Sequence, residues 1–151
     1  MHEPPGPKLV WPGAEAVATM ERPAARSRRY SYSKLCNLYF TYELARRLER
    51  EHSGVSAAAF NPGLMTDTNF AAMPAPVGAV LRRVFASRVG SLDTSSTALA
   101  RLTAGLTDVP IDGNYFDRTA VAPTRSSDLS YDEANALDLW RFSERAASVS
   151  L

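Results

Sequence analysis

The chain has 151 residues, enough for one ordinary domain, and its 45% hydrophobic and 22% charged residues are the balance of a folded, water-soluble protein. A net charge of +1, with no basic stripe carrying interleaved aromatics, argues against a nucleic-acid or anionic-membrane partner. Cys36 is the single cysteine, and His2 and His52 stand far apart without ligand-type neighbours, so neither an internal disulfide nor a metal site is expected.

Residues 1–29 carry Pro4, Pro5, Pro7, Pro12 and Pro23 and read as an irregular lead-in with at most a short helix near Ala14 to Met20. The N-terminus has no basic-then-apolar leader, and no apolar run approaches the roughly 18 residues of a membrane helix. A cytoplasmic protein without a membrane span is the expectation. From Tyr30 to about Glu51 there is no Gly or Pro, and Leu35, Leu38, Tyr39, Tyr42, Ala45 and Leu48 recur at three- and four-residue spacings. That predicts a long amphipathic helix with Arg46, Arg47, Glu49 and Arg50 on a solvated rim, closed by Gly54 as the left-handed residue. The apolar run VSAAAF, 55–60, predicts a buried strand.

NPGLMTDTNF follows as a turn-rich loop at the strand's C-terminal end, the place where open α/β sheets bind ligands. Helices are predicted over 75–89 and 91–107, a short strand over 113–117, and a polar loop over 118–129. Ser130 with Glu133 three positions on has the spacing of a capping box, opening a terminal helix whose Trp140 packs it onto the body. Alternating helices and strands indicate an α/β class, yet two short strands do not make an independently stable sheet.

Within YSYSK, Tyr30 and Lys34 are four residues apart and share a helix face, whereas Tyr32 points elsewhere. A phenol is a poor proton donor or acceptor at neutral pH, and an adjacent ammonium favours the phenolate and brings it into use. Such a pair can give a proton to a carbonyl oxygen or take one from an alcohol. The lysine can also grip a sugar hydroxyl. Tyr and Lys also meet at this spacing on ordinary solvated helices, so the spacing alone leaves both readings open. Cys36 reads as a small buried residue, and Asn37 either orients Lys34 or faces solvent.

These segments resemble the short-chain dehydrogenase/reductase family. YSYSK is similar to its Tyr-x-x-x-Lys motif, and NPGLMTDT to its Pro-Gly loop after the sixth strand. SKLCNLYFTYELARRLER and SSDLSYDEANALDLWRFSE resemble the branch of retinol dehydrogenases and light-dependent protochlorophyllide reductases. The resemblance covers about residues 28–146. It implies an NAD(P)-dependent oxidoreductase acting on a small-molecule carbonyl or alcohol, with Tyr30 as acid/base and Lys34 supporting it and holding the nicotinamide ribose. Pro62, Gly63, Leu64, Thr66 and Thr68 then line the nicotinamide side. Asp67 stands where the family often has threonine, leaving open which neighbouring threonine meets the cofactor.

The sequence contains no Gly-x-x-x-Gly-x-Gly turn and no Asn-Asn-Ala-Gly-like segment. Counting back from Tyr30 by the family's spacing puts the catalytic serine near residue 3, and Thr19 and Ser27 lack the strand-end setting. The expectation is therefore the C-terminal portion of a Rossmann-type doubly wound sheet, two remaining strands with flanking helices, occupying 30–151 after the 1–29 lead-in. The N-terminal strands and their phosphate cradle are expected to be absent, so this chain by itself is expected to be inactive and to bind cofactor weakly or not at all. NADP is preferred over NAD by branch alone. The other readings are a non-catalytic interaction remnant pairing as a homo-oligomer through the Tyr30 helix, and a decayed gene product. Residues 69–90, with Met73, Pro74 and Pro76, identify no substrate.

Overall fold

The computed structural model describes residues 9–20, 26–63, 92–119 and 122–148. The predicted helix over 75–89 lies outside them. They divide into two compact units, one formed by the stretches up to Ala57 and from Arg125 onward, the other by Ala58–Thr124.

The first unit contains α1 (Ala14–Ala18), α2 (Arg26–Arg50), a 3-10 turn (Asp128–Tyr131) and α4 (Glu133–Ser148). The longest helix, α2, buries Tyr32, Leu35, Tyr39, Tyr42 and Ala45 along one stripe. This spacing is the amphipathic period read from the sequence. Tyr32, Leu35, Tyr39 and Ala136 of α4 form its core, against which Leu9, Trp11, Val17 and Met20 also pack. The short α1 cannot hold itself, since an isolated five-residue helix is far below the nucleation length. Asp138 of α4 secures it: its Oδ2 accepts from the Ala14 amide at 2.9 Å and from Trp11 Nε1 at 3.0 Å. As expected, Trp140 packs α4 onto the body, its ring stacked on Phe40 of α2 at 5.2 Å with the Arg47 guanidinium 4.3 Å from its centroid.

Two end signals differ from the expectation. At the C-terminus of α2 the residue that closes the helix is His52 (φ 50), two positions before the expected Gly54, which is itself left-handed (φ 70). His52 N donates to Glu49 O and Ser53 N to Leu48 O, the paired bonds that close a helix through a left-handed residue. At the start of α4 the cap is Asp132, whose Oδ1 accepts the Asn135 amide at 3.0 Å. Ser130 is instead buried in the 3-10 turn, its Oγ donating to Ser127 O.

The second unit contains β1 (Ala59–Asn61), α3 (Leu92–Thr103) and β2 (Tyr115–Asp117). The two strands pair in parallel with Phe60 opposite Phe116. Only the end of VSAAAF is strand, and it is half-buried, with Val55 61% exposed. The apolar run carries no alternation to mark where pairing starts, and it is the partner Tyr115–Asp117 that sets the extent. Phe116 is fully buried and packs with Ala98 and Leu102 of α3, joined by Phe60, Val109 and Ile111. Gly105 (φ 66) closes α3 by the same bond pair that His52 uses on α2, with Leu106 N bonded to Arg101 O and Gly105 N to Leu102 O. The described residues thus form an α/β structure with a two-stranded parallel sheet, compatible with part of a Rossmann-type fold.

Candidate functional site

The stripe of α2 opposite its core carries Tyr30, 62% exposed, with Lys34 and Asn37 also exposed. Tyr30 and Lys34 lie one turn apart, and the Lys34 ammonium sits 5.3 Å from the centroid of the Tyr30 ring. Tyr32, two residues on, is only 6% exposed, and its hydroxyl donates to the Val10 carbonyl at 2.7 Å. Helix periodicity therefore sends the two tyrosines to opposite fates, one to the surface beside a cation and the other into the core. Cys36 is half-buried, and that burial pushes its thiol above the ordinary value, which disfavours a thiolate nucleophile.

Pro62 and Gly63 belong to the second unit and leave the carboxyl end of β1. Gly63 has φ +81, a left-handed conformation that glycine adopts without a Cβ clash. Its amide donates to Asn61 Oδ1 at 3.1 Å, and the Pro62 carbonyl accepts from Ser95 Oγ at 3.0 Å. Across the strand pair, Asn61 Nδ2 donates to Asp117 Oδ1 at 3.0 Å, and Arg118 closes on Asp117 Oδ2 at 2.8 Å. Leu64, Thr66, Asp67 and Thr68 lie outside the described residues.

Two polar clusters of the first unit had no clear sequence signal. Glu43 is buried on α2 under Arg46 and Arg47, with Oε2 2.9 Å from Arg46 Nη2 and Oε1 2.8 Å from Arg47 Nε. Burial by itself pushes this carboxyl up, but the hydrogen bonds and charges of the two arginines outweigh it and hold it below the ordinary value. Arg46 and Arg47 are thus half-buried partners rather than a solvated rim. Together with Arg50, Glu133 and Leu137 these residues line a cleft of about 290 Å³. Its arginines are offset by carboxylates, so it has no strong anion preference.

The second cluster joins Tyr42 to Ser126 at 2.7 Å and Ser126 to Ser130 at 2.7 Å, with the Tyr42 and Tyr131 rings stacked 5.3 Å apart. Burial pushes the Tyr42 phenol up to about 12, so it stays neutral and hydrogen-bonded. Among the described residues no group of three His, Cys, Asp or Glu could hold a metal ion, and no helix is long and apolar enough to cross a membrane.

No family model matches the chain, and no solved structure matches it significantly. The chain is 27% identical over 124 residues to a short chain dehydrogenase/reductase, dpchH, of Colletotrichum higginsianum. That alignment covers 81% of this chain and 30% of the relative, so the chain spans about a third of the relative's length. This distant likeness supports the short-chain dehydrogenase/reductase family.

Proposed function

We propose that the chain carries the acid/base end of an NAD(P)-dependent short-chain dehydrogenase/reductase site, acting on a small-molecule carbonyl or alcohol. The observation that carries this reading is the Tyr30–Lys34 pair, exposed together on one face of α2 while Tyr32 is taken up by the core. Tyr30 Oη gives a proton to the substrate oxygen in reduction and takes one from the alcohol in oxidation. Lys34 holds its ammonium over the Tyr30 ring and has donors for a ribose hydroxyl.

A nicotinamide cofactor supplies or accepts the hydride. Each unit taken by itself has residues suited to its nicotinamide end: the first an accessible ammonium on α2, the second a glycine turn at the carboxyl end of a parallel strand. Pro62 and Gly63 support that end by their shape, with Leu64, Thr66 and Thr68 lining it. The residues do not include a glycine-rich pyrophosphate cradle. NADP is preferred over NAD.

The chain alone is expected to give no saturable NAD(P)H-dependent reduction of small aldehydes, and clear turnover would refute that expectation. In a form that includes a glycine-rich nucleotide-binding half, Tyr30→Phe is expected to lower kcat by roughly 10²–10⁴-fold while sparing cofactor affinity. Retained turnover rules out the assigned role. Translating the frame upstream of the Met1 codon tests the same reading, since a strand, Gly-x-x-x-Gly-x-Gly turn and helix there supply the cradle.

A second reading, a non-catalytic element pairing as a homo-oligomer through α2, is favoured by Phe40, 47% exposed on that helix. Sedimentation that stays monomeric up to high concentration excludes it.

A further inference from the structure

We propose that Asn61 and Ser95 are positioning residues that clamp the Pro62–Gly63 turn from two sides, so that the turn is a preformed support for the cofactor. This rests on the reading of the turn as the nicotinamide side.

Asn61 ends β1 and engages its carbonyl and both polar atoms of its side chain. Its backbone carbonyl accepts the Arg118 amide at 2.8 Å, continuing the ladder. Its side-chain Oδ1 takes the Gly63 amide at 3.1 Å, and its Nδ2 reaches Asp117 Oδ1 at 3.0 Å. One planar carboxamide thereby fixes the turn relative to β2. Asp117 is itself held, with Arg118 Nε at 3.0 Å and Nη2 at 2.8 Å from its Oδ2. Arg118 keeps this grip from a left-handed backbone (φ 43), a conformation that an L side chain adopts only when its surroundings impose it.

Ser95 closes the other side. It lies 2% exposed on the stripe of α3 that also buries Ala98 and Leu102, where an apolar residue would satisfy packing. Its hydroxyl instead donates to the Pro62 carbonyl at 3.0 Å. The Pro62 carbonyl and the Gly63 amide are therefore both engaged within the unit, and the turn meets a ligand already ordered. Such preorganisation raises affinity by removing the ordering cost at binding.

The test follows Gly63 by amide hydrogen exchange in the NMR spectrum of the full chain, with Phe116 as the core control, and titrates NADPH by amide shifts in a form that includes a glycine-rich nucleotide-binding half. Asn61→Ala and Ser95→Ala are expected to speed Gly63 exchange about tenfold with Phe116 unchanged. The exchanged pair Asn61→Asp with Asp117→Asn keeps one donor facing two acceptors and is expected to restore wild-type exchange. NADPH affinity is expected to fall about tenfold in the two alanine variants and to return in the exchanged pair. Unchanged Gly63 exchange in Asn61→Ala overturns the clamp, as does equal acceleration at Phe116, which makes the bridge a general sheet contact. Faster exchange with undiminished NADPH affinity overturns the positioning role. Absence of any NADPH shift in that longer form overturns the cofactor reading instead, and the exchange rates then decide the clamp on their own.

Discussion

Replacing Tyr32 by Phe keeps the ring and removes one hydroxyl, which isolates the bond that ties α2 to the segment preceding α1. That hydroxyl donates to the Val10 carbonyl at 2.7 Å, and the ring, 6% exposed, meets Trp11 edge-on at 6.4 Å. A hydrogen bond of this kind contributes about 1 kcal/mol net, and up to about 3 kcal/mol when its loss strands a buried partner. Val10 is 68% exposed, so water can reach its carbonyl once the phenol is gone, and the lower figure applies. For a chain of this size about 1 kcal/mol corresponds to a fall in Tm of roughly 2–4 °C. Tyr30→Phe, on the exposed stripe, is expected to change stability by less than about 0.5 kcal/mol. Urea unfolding followed by near-ultraviolet circular dichroism measures both, with the m-value serving as the check that only stability has changed. Equal losses, or a larger loss at Tyr30, would mean that α2 presents its faces the other way round, and the candidate acid/base would then be misassigned.

Glu43 gives a pH signature. Its folded-state carboxyl is held below the ordinary 4.5, so its contribution is present above about pH 4.5 and is lost as pH falls through the lower folded value. Glu43→Gln should cost about 1–2 kcal/mol at neutral pH, less than for a fully buried pair because Arg46 and Arg47 are partly exposed. It should also flatten the acid limb of stability against pH, and parallel acid limbs in both proteins would refute the pairing. His52→Gly is expected to raise stability by about 1 kcal/mol by relieving the left-handed backbone at the end of α2. An unchanged melting temperature would refute that account.

Much of α2 is legible locally. Its core stripe, its lack of Gly and Pro, and the separation of Tyr30 from Tyr32 all follow from a period of 3.6 residues, which any window of the chain contains. The Asn-Pro-Gly turn is legible for the same reason, because glycine's freedom at φ +81 belongs to the residue itself. Helix ends are less so: Gly54 and the Ser130–Glu133 spacing carry familiar signals, yet His52 and Asp132 do the closing and capping. Several residues near each boundary meet the local criteria, and packing selects among them.

Taken alone, the sequence determines which residues can share a face: Tyr30 with Lys34, and Tyr32 with Leu35 and Tyr39. Tertiary structure decides what those faces meet. Glu43 is called to the interior because Arg46 and Arg47 fold over it, and the reach of β1 is set by Tyr115–Asp117, more than fifty residues away. Asn61 finds Asp117, and Ser95 finds Pro62, only once the chain has returned. Local spacing fixes the direction of a side chain, whereas its partner, and so its charge state and its role, depends on contacts distant in sequence.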